Sequence, residues 1–380
     1  MIVRQFLRWV QTAPPGERAE ATSALARAFL YSDLSSEDRL AAEAAMTVLL
    51  DDPSPLVRRA LAHALASSAD APHGVIITLA GDQPEIAAIV AGRSPVLSEA
   101  ELVDFIGGGE DGVQNAIAAR EPVSRALSSA IAEVANAAAC IVLIENPYAD
   151  IPARALARMA ERHGQLSAVR EALLAREDLP PETRQALIAK LSETLARFVS
   201  ERDWLSEDRA EKVSREACDR ATVAIASNRD ANEVAPLVRH LVASGQLTGN
   251  LLLRALLSGN TCFVIEAFAE LSGVRADRVA SILSDRNAHG LRALYQKAGL
   301  PDTAFGAFHA AIQVMQETGF AGDSYGAATL KRSMVERVLT RYADMADGEI
   351  DYLFAMLRRF AAEAAREEAR FYTADLVAAA

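Results

Sequence analysis

Three arginines recur at one position of a repeated pattern, and they are the side chains of this sequence best placed to bind a partner. In three segments an apolar residue is followed by a second one four positions later and by an arginine three positions after that: Ile86, Val90 and Arg93; Val113, Ile117 and Arg120; Val169, Leu173 and Arg176. These offsets put the three side chains of each segment on one helix face.

Arg93, Arg120 and Arg176 have two interpretations. In the first, each arginine lays its stem on the core and offers its guanidinium to the last carbonyls of its own helix, which makes a ladder internal to the fold. In the second, the three guanidinium groups form an edge that binds an acidic or phosphorylated partner. The sequence leaves both interpretations open.

The other reactive residue types show no spacing that is typical of catalysis or metal binding. The six histidines include no HExxH or HxxEH pair, and the three cysteines, Cys140, Cys218 and Cys262, form no CxxC pair. The Gly107–Gly109 triplet precedes an acidic pair that would repel a phosphate, so it predicts a turn. We therefore predict no catalytic residue, no metal site and no cofactor, and we expect the protein not to be an enzyme.

Composition and charge restrict the partners. The net charge is -12 and the isoelectric point about 5.1, which disfavours nucleic acid as a general partner. The odd number of scattered cysteines indicates reduced thiols. Arginines interrupt the short apolar stretch at the N-terminus, and no apolar run reaches the length of about 18 residues that spans a bilayer. These features predict a cytoplasmic protein without a membrane partner.

The repeated pattern predicts the fold. Alanine is abundant and aromatic residues make up 6% of the chain, which favours closely packed helices. Pro95, Pro122 and Pro180 follow the three arginines, and an apolar-periodic stretch follows each proline. The unit is thus a helix, a proline-containing turn and a second helix, about 25 to 30 residues in all. A degenerate fourth copy has Glu145 where the others have arginine.

We predict an all-α chain that forms a right-handed α-solenoid of HEAT-like helix pairs with a C-terminal helical domain. The repeats occupy residues 1–200, longer helix pairs occupy 201–320, and a glycine-containing loop with terminal amphipathic helices occupies 321–380. One stripe of the last helix is apolar, and an aromatic pair follows it: Tyr352, Leu353, Met356, Leu357 and Phe360, then Phe371 and Tyr372. This helix either docks on the preceding repeat or binds a partner, and the C-terminal helices are a candidate homodimer interface.

Two segments resemble a known family. DDPSPLVRRALAHALA (51–66) resembles the start, and LVASGQLTGNLLLRALLSGNTCFVIEAFAELSGV (241–274) the second half, of the DUF2336 family of uncharacterised alphaproteobacterial proteins. The resemblance covers roughly residues 20–310 and implies a HEAT-like helical fold without an established activity or functional residues to transfer. The repeats also look like leucine-rich-repeat-variant arrays.

These observations lead to three functional hypotheses. The first is a protein–protein interaction scaffold or adaptor in bacterial signalling, with a protein partner of unknown identity. The second is a nucleic-acid-binding HEAT-like protein. The third is an enzyme with an unrecognised site in the C-terminal half, where Arg239, His240 and Asp285 are the polar groups to inspect.

Overall fold

The chain is all-α. The computed structural model describes residues 6, 8–227, 229–285, 288–318, 335–340, 357–366, 369–370 and 373. Within this part we number nineteen α-helices and one short 3-10 helix, Asp302–Ala304. Contacts within the chain divide it into two units, Met1–Leu179 (unit 1) and Pro180–Ala380 (unit 2). This division falls before the boundary that we predicted at 200/201, because residues 181–201 form one continuous helix that pairs with the helix after it.

Unit 1 consists of short helices. Their bounds are α1 Pro15–Tyr31, α2 Ser36–Leu49, α3 Pro55–Leu65, α4 His73–Ala80, α5 Pro84–Arg93, α6 Glu99–Gly107, α7 Asp111–Ala118, α8 Arg125–Val134, α9 Ala137–Glu145, α10 Ala153–His163 and α11 Ser167–Ala175. Helices α1, α3 and α5 begin at a proline, which has no N–H to leave unpaired there. The N-cap side chains of Ser98, Ser124 and Asn136 accept a hydrogen bond from the backbone of their first turn.

Helices of unit 1 pack on their neighbours and on the next helix but one. The odd-numbered helices contact each other in series from α1 to α11, and α6, α8 and α10 do the same. The apolar pairs that define the repeat are buried, as the pattern predicted: Ile86, Val90, Val113, Ile117, Val169 and Leu173. Helices α5 and α7 approach so closely at Gly92 that an added Cβ would lie 3.2 Å from the Cβ of Ala116.

Unit 2 contains longer helices. Their bounds are α12 Pro181–Glu201, α13 Glu207–Ala226, α14 Ala231–Ala243, α15 Gly249–Leu257, α16 Thr261–Ser272, α17 Ala276–Ser284, α18 Ala288–Lys297 and α19 Phe305–Thr318. Gly245 and Gly273 follow α14 and α16 with positive φ angles of 67° and 66°, the left-handed conformation in which glycine commonly ends a helix.

An aromatic cluster lies at the centre of unit 2. The rings of Phe268, Tyr295 and Phe308 meet at tilted or edge-to-face angles with centroids 5.2 to 6.4 Å apart. The Tyr295 hydroxyl donates to the Pro301 carbonyl at 2.8 Å, which satisfies the polar end of this buried ring. The described part of the last helix, with Leu357 and Phe360, packs against the same core.

Candidate interaction surfaces

Two of the three predicted arginines tie neighbouring helices of unit 1 together. Nη1 of Arg120, after α7, donates to the Ala91 carbonyl at 2.6 Å, and its Nη2 donates to the Ser94 carbonyl at 2.8 Å. Both carbonyls belong to the end of α5. Nη1 of Arg176, after α11, likewise donates to the Ile144 carbonyl of α9 at 2.8 Å. The acceptors thus lie on the preceding odd-numbered helix and not on the arginine's own helix, where the first interpretation had placed them.

Asn146 fills the same place after α9. Its side-chain amide donates to the carbonyls of Ala118 and Arg120 at 2.9 and 2.8 Å, and its oxygen accepts from the Tyr148 backbone. The sequence pattern placed Glu145 at this position and missed Asn146, because the pattern was defined by the spacing of the arginine and not by the ability to bind a carbonyl. The Asn146-Pro147 pair, which ends the helix, was the feature of the sequence that could have indicated Asn146.

The even-numbered helices carry a second set of such bonds. Nη1 of Arg162, near the end of α10, donates to the Ala132 carbonyl of α8 at 2.9 Å, and Nε2 of His163 lies 3.3 Å from the Ala135 carbonyl. We call these bonds, together with those of Arg120, Asn146 and Arg176, the carbonyl ladder. They satisfy carbonyls that the end of a helix leaves without an intrahelical partner.

Arg93 differs from the other two arginines. Its side chain is exposed and forms no hydrogen bond or ion pair among the described residues. The three arginines therefore do not present equivalent guanidinium groups. Arg120 and Arg176 already have acceptors within unit 1, and Arg176 also pairs with Asp178 at 2.7 Å.

Unit 1 contains more acidic than basic side chains, and two of its arginines form ion pairs with aspartates that are largely shielded from solvent. Residues 1–179 contain 24 Asp and Glu against 15 Arg. The Arg18 guanidinium donates two hydrogen bonds to the Asp52 carboxylate, both at 2.8 Å, and Arg58 pairs with Asp82 at 2.6 Å. Burial works to raise the pKa of Asp52, but hydrogen bonds from Arg18 and Ser54 and nearby arginine charges outweigh it, so this pKa lies below its usual range.

The described part of the last helix is held by unit 2. The Arg254 guanidinium lies 3.9 Å from the centroid of the Phe360 ring and donates to Glu363 at 2.9 Å. Glu363 also pairs with Arg220, and Arg359 pairs with Glu216. Leu357 and Phe360 are buried. The predicted residues Tyr352, Leu353, Met356, Phe371 and Tyr372 lie outside the described residues.

The outer half of the α12–α13 pair has almost no buried side chain. We call residues 190–215 the hairpin arm. Ala210 is its one buried residue, whereas Leu195, Phe198, Trp204 and Val213 expose 53%, 41%, 63% and 51% of their surface. Four large apolar side chains are seldom this exposed within one short segment. Exposed apolar patches of this kind mark contact sites for other molecules.

The turn of the hairpin arm organises an aromatic patch. Asp203 has a φ of 55°, and the Trp204 N–H donates to the Val199 carbonyl at 3.1 Å, which folds the chain back after α12. Trp204 consequently meets Phe198 edge to face with ring centroids 5.8 Å apart. The Arg202 guanidinium lies 4.2 Å from the Phe198 centroid and 5.6 Å from that of Trp204. We call Phe198, Arg202 and Trp204 the aromatic patch.

The repeated pattern in the sequence did not single out these residues. A signal was present, because Trp204 is one of two tryptophans in the chain and lies in the charged segment ERDWLSED. An apolar ring in a polar turn has no helix face to join, and the sequence alone does not show that this ring is 63% exposed.

The opposite side of the same helix pair borders a cavity of about 660 Å³. Gln185, which is 1% exposed, lies at the inner end of this cavity. Its side-chain Nε2 donates to Oε1 of Gln246 at 2.6 Å, and Oε1 of Gln185 lies 3.1 Å from Nε2 of His240. Burial raises the pKa of Asp219 to about 6 and lowers the pKa of His240. Burial also raises the pKa of the Cys218 thiol, which makes it a poor nucleophile.

The side chains of the three polar groups considered for an enzymatic site do not converge on one cleft. Arg239 is exposed on α14, and His240 is directed to Gln185. Asp285 lines a separate cleft of about 300 Å³ beside α17 and α18. Among the described residues, no group of three or more His, Cys, Asp and Glu side chains is arranged to hold a metal ion. None of the described helices combines the length and the apolar character that a bilayer span needs.

Comparison with known proteins gives a family and no function. The chain matches the family model DUF2336, described as an uncharacterised protein conserved in bacteria, over residues 86–346. This chain belongs to the DUF2336 family. The match includes the segment 241–274 on which the resemblance was based, whereas the segment 51–66 lies before it. No curated protein and no solved structure matches the chain. The hairpin arm and all five carbonyl-ladder side chains lie within the matched range.

Proposed function

We propose that this DUF2336 protein is a non-enzymatic protein–protein interaction scaffold or adaptor, and that the hairpin arm makes the contact with its protein partner. In this proposal unit 1 is a right-handed α-solenoid of HEAT-like helix pairs. The contacts between alternate helices and the carbonyl ladder support this arrangement, because each repeat of a solenoid contacts only its neighbours.

The exposed aromatic patch is the observation that carries the proposal. Tryptophan and arginine are enriched in protein interfaces, and tryptophan is a frequent energetic hot spot. Trp204 and Phe198 are held in one geometry by the turn and by Arg202. A partner that covers them loses little side-chain entropy, since the rings are already ordered.

Charge favours a protein over a nucleic acid as the partner. The excess of acidic side chains in residues 1–179 repels phosphates, whereas the hairpin arm is balanced, with six basic and six acidic side chains. An interface that relies on aromatic contact needs no excess of either sign.

Site-specific photocrosslinking in the native bacterium tests this function. A photoreactive residue at position 204 is expected to form an adduct with a second protein, whereas the same residue at Tyr148, which is 58% exposed in unit 1, is not. Phe198→Ala should weaken binding of the recovered partner about tenfold, which corresponds to about 1.4 kcal/mol. Adducts that form equally at both positions, or a partner that binds Phe198→Ala unchanged, would contradict the proposal.

A further inference from the structure

Helix α12 carries an apolar stripe with coiled-coil spacing. Ile188, Leu191, Leu195 and Phe198 follow each other at intervals of three, four and three residues, which is the a/d pattern of a heptad repeat. Ile188 and Leu191 are half-buried, and Leu195 and Phe198 are exposed. Such a stripe packs against another helix when one is present.

Helix α13 presents a stripe of small residues on the same side of the pair. Val213, Ala217 and Ala224 are exposed and recur at intervals of four and seven residues. Residues of both helices, among them Glu193 and Arg215, line the cavity of about 660 Å³ beside the pair. At 3.6 residues per turn, the middle of the α12 stripe lies about half a turn from the middle of the cavity-lining residues of that helix, and the middle of the α13 stripe lies about a third of a turn from its own. Both stripes therefore face mainly away from the cavity. We call them together the apolar face.

We propose that the apolar face is a self-association surface on which a second copy of this chain is seated, so that two α12–α13 pairs form a four-helix bundle. This inference rests on the proposed function in taking the hairpin arm as a contact surface. The inference adds which molecule binds this surface, namely a second copy of this chain.

The face is complementary to itself. Its α12 half is large, with two leucines, an isoleucine and a phenylalanine, and its α13 half is small, with two alanines. A two-fold axis that lays α12 of one copy over α13 of the other puts large side chains against small ones twice. Four-helix bundles pack in this way around an apolar core, and a two-fold interface requires self-complementarity.

Charge points to the same occupant. Two copies of a chain with a net charge of -12 repel each other at most approaches. The hairpin arm carries six basic and six acidic side chains, so two arms meet without net repulsion. A strongly basic or acidic partner would find no net opposite charge there. The face is short, and we expect a dissociation constant on the order of micromolar.

Sedimentation equilibrium of the full chain between about 1 and 100 µM tests the inference. The wild type is expected to shift from monomer to dimer over this range. Leu195→Glu, on the large half, and Ala217→Glu, on the small half, should each weaken self-association at least tenfold. Leu40→Glu is the matched control, because Leu40 is a helical leucine of unit 1 that is 69% exposed. Circular dichroism checks that each variant is folded.

The outcomes separate this inference from the proposed function. A wild type that stays monomeric at 100 µM overturns the second copy as occupant, even if position 204 still crosslinks to a different protein. Dimerisation that Leu195→Glu and Leu40→Glu affect equally overturns it as well. A dimer that needs the apolar face, together with no adduct to any other protein, supports the inference and contradicts the adaptor function.

Discussion

The repeats of unit 1 and the hairpin arm of unit 2 use the same helical building block in opposite ways. In the repeats, apolar residues such as Ile117 are fully buried, and the free carbonyls at helix ends accept bonds from the next repeat. In the hairpin arm the apolar residues Leu195, Phe198, Trp204 and Val213 are exposed. A helix pair whose apolar side chains are exposed is stabilised less by packing against the rest of the fold. Those side chains are available for contact with a partner. The following predictions test this difference in order of expected effect.

The largest effect is expected in the core of the repeats. Ile117→Ala should lower the free energy of unfolding by about 2 to 5 kcal/mol, because it leaves a cavity in a close-packed interior. Leu195→Ala in the hairpin arm should change it by less than about 0.5 kcal/mol. Urea denaturation of both variants gives the two values. Similar losses at the two positions would show that the hairpin arm is as tightly packed as the repeats.

Asp219, at the inner part of the hairpin, should respond to pH. Its pKa of about 6 is raised above the usual value, so the ionised carboxylate is disfavoured in the folded state. Stability should therefore fall as the pH rises from about 4 through 6. Asp219→Asn removes this penalty and should stabilise the protein by about 2 kcal/mol at pH 7.5, with the gain vanishing below about pH 4.

Urea titrations at several pH values measure this gain. Asp208→Asn provides the control, because Asp208 is an exposed carboxylate on the same helix. A gain for Asp219→Asn that does not depend on pH would show that ionisation is not its cause.

The carbonyl ladder should contribute less per side chain. Arg120→Met keeps the apolar stem but removes the bonds to Ala91 and Ser94, and we expect a loss of about 1 to 2 kcal/mol. Arg93→Met is the matched control, since Arg93 is exposed, and it should change stability by less than about 0.5 kcal/mol. Thermal and urea unfolding measure both variants. If Arg120→Met and Arg93→Met lower the stability equally, the assignment of Arg120 to the carbonyl ladder is wrong.

The smallest effect concerns the spacing of α5 and α7. Replacing a helical glycine with alanine usually stabilises by about 0.5 to 1 kcal/mol. At Gly112 the new Cβ meets no atom within 4 Å, so Gly112→Ala should be stabilising. At Gly92 the contact with Ala116 offsets the gain, and Gly92→Ala should be near neutral. A Gly92→Ala variant as stabilised as Gly112→Ala would show that the two helices separate without cost.

The sequence predicts the parts of this molecule that depend on local periodicity. The apolar pairs around Ile117, the proline at the start of α12 and the turn at Gly107–Gly109 all follow from spacing along one helix. The acceptors of Arg120 and the role of Asn146 depend instead on a neighbouring helix more than 25 residues away in the chain. Their identification needs the distance between helices, which periodicity does not contain.

The exposure of Leu195 and Phe198 could not be predicted from the sequence for a different reason. The apolar spacing of α12 is the same whether a helix lies against it or not. Burial depends on what the rest of the chain places nearby, and for residues 190–215 the described part of the chain places little there. Leu187, which is buried, and Leu195, which is exposed, look alike in the sequence.

The carbonyl ladder also imposes an order on synthesis. The ends of α5, α7 and α9 receive their donors from side chains that lie 26 to 32 residues further along the chain. A repeat that has just left the ribosome therefore has open carbonyls until the next one emerges, which takes roughly 1 to 6 seconds at typical rates of elongation. Each repeat is completed by its successor, so nascent chains that stop inside the array should end in a repeat that is open to proteases.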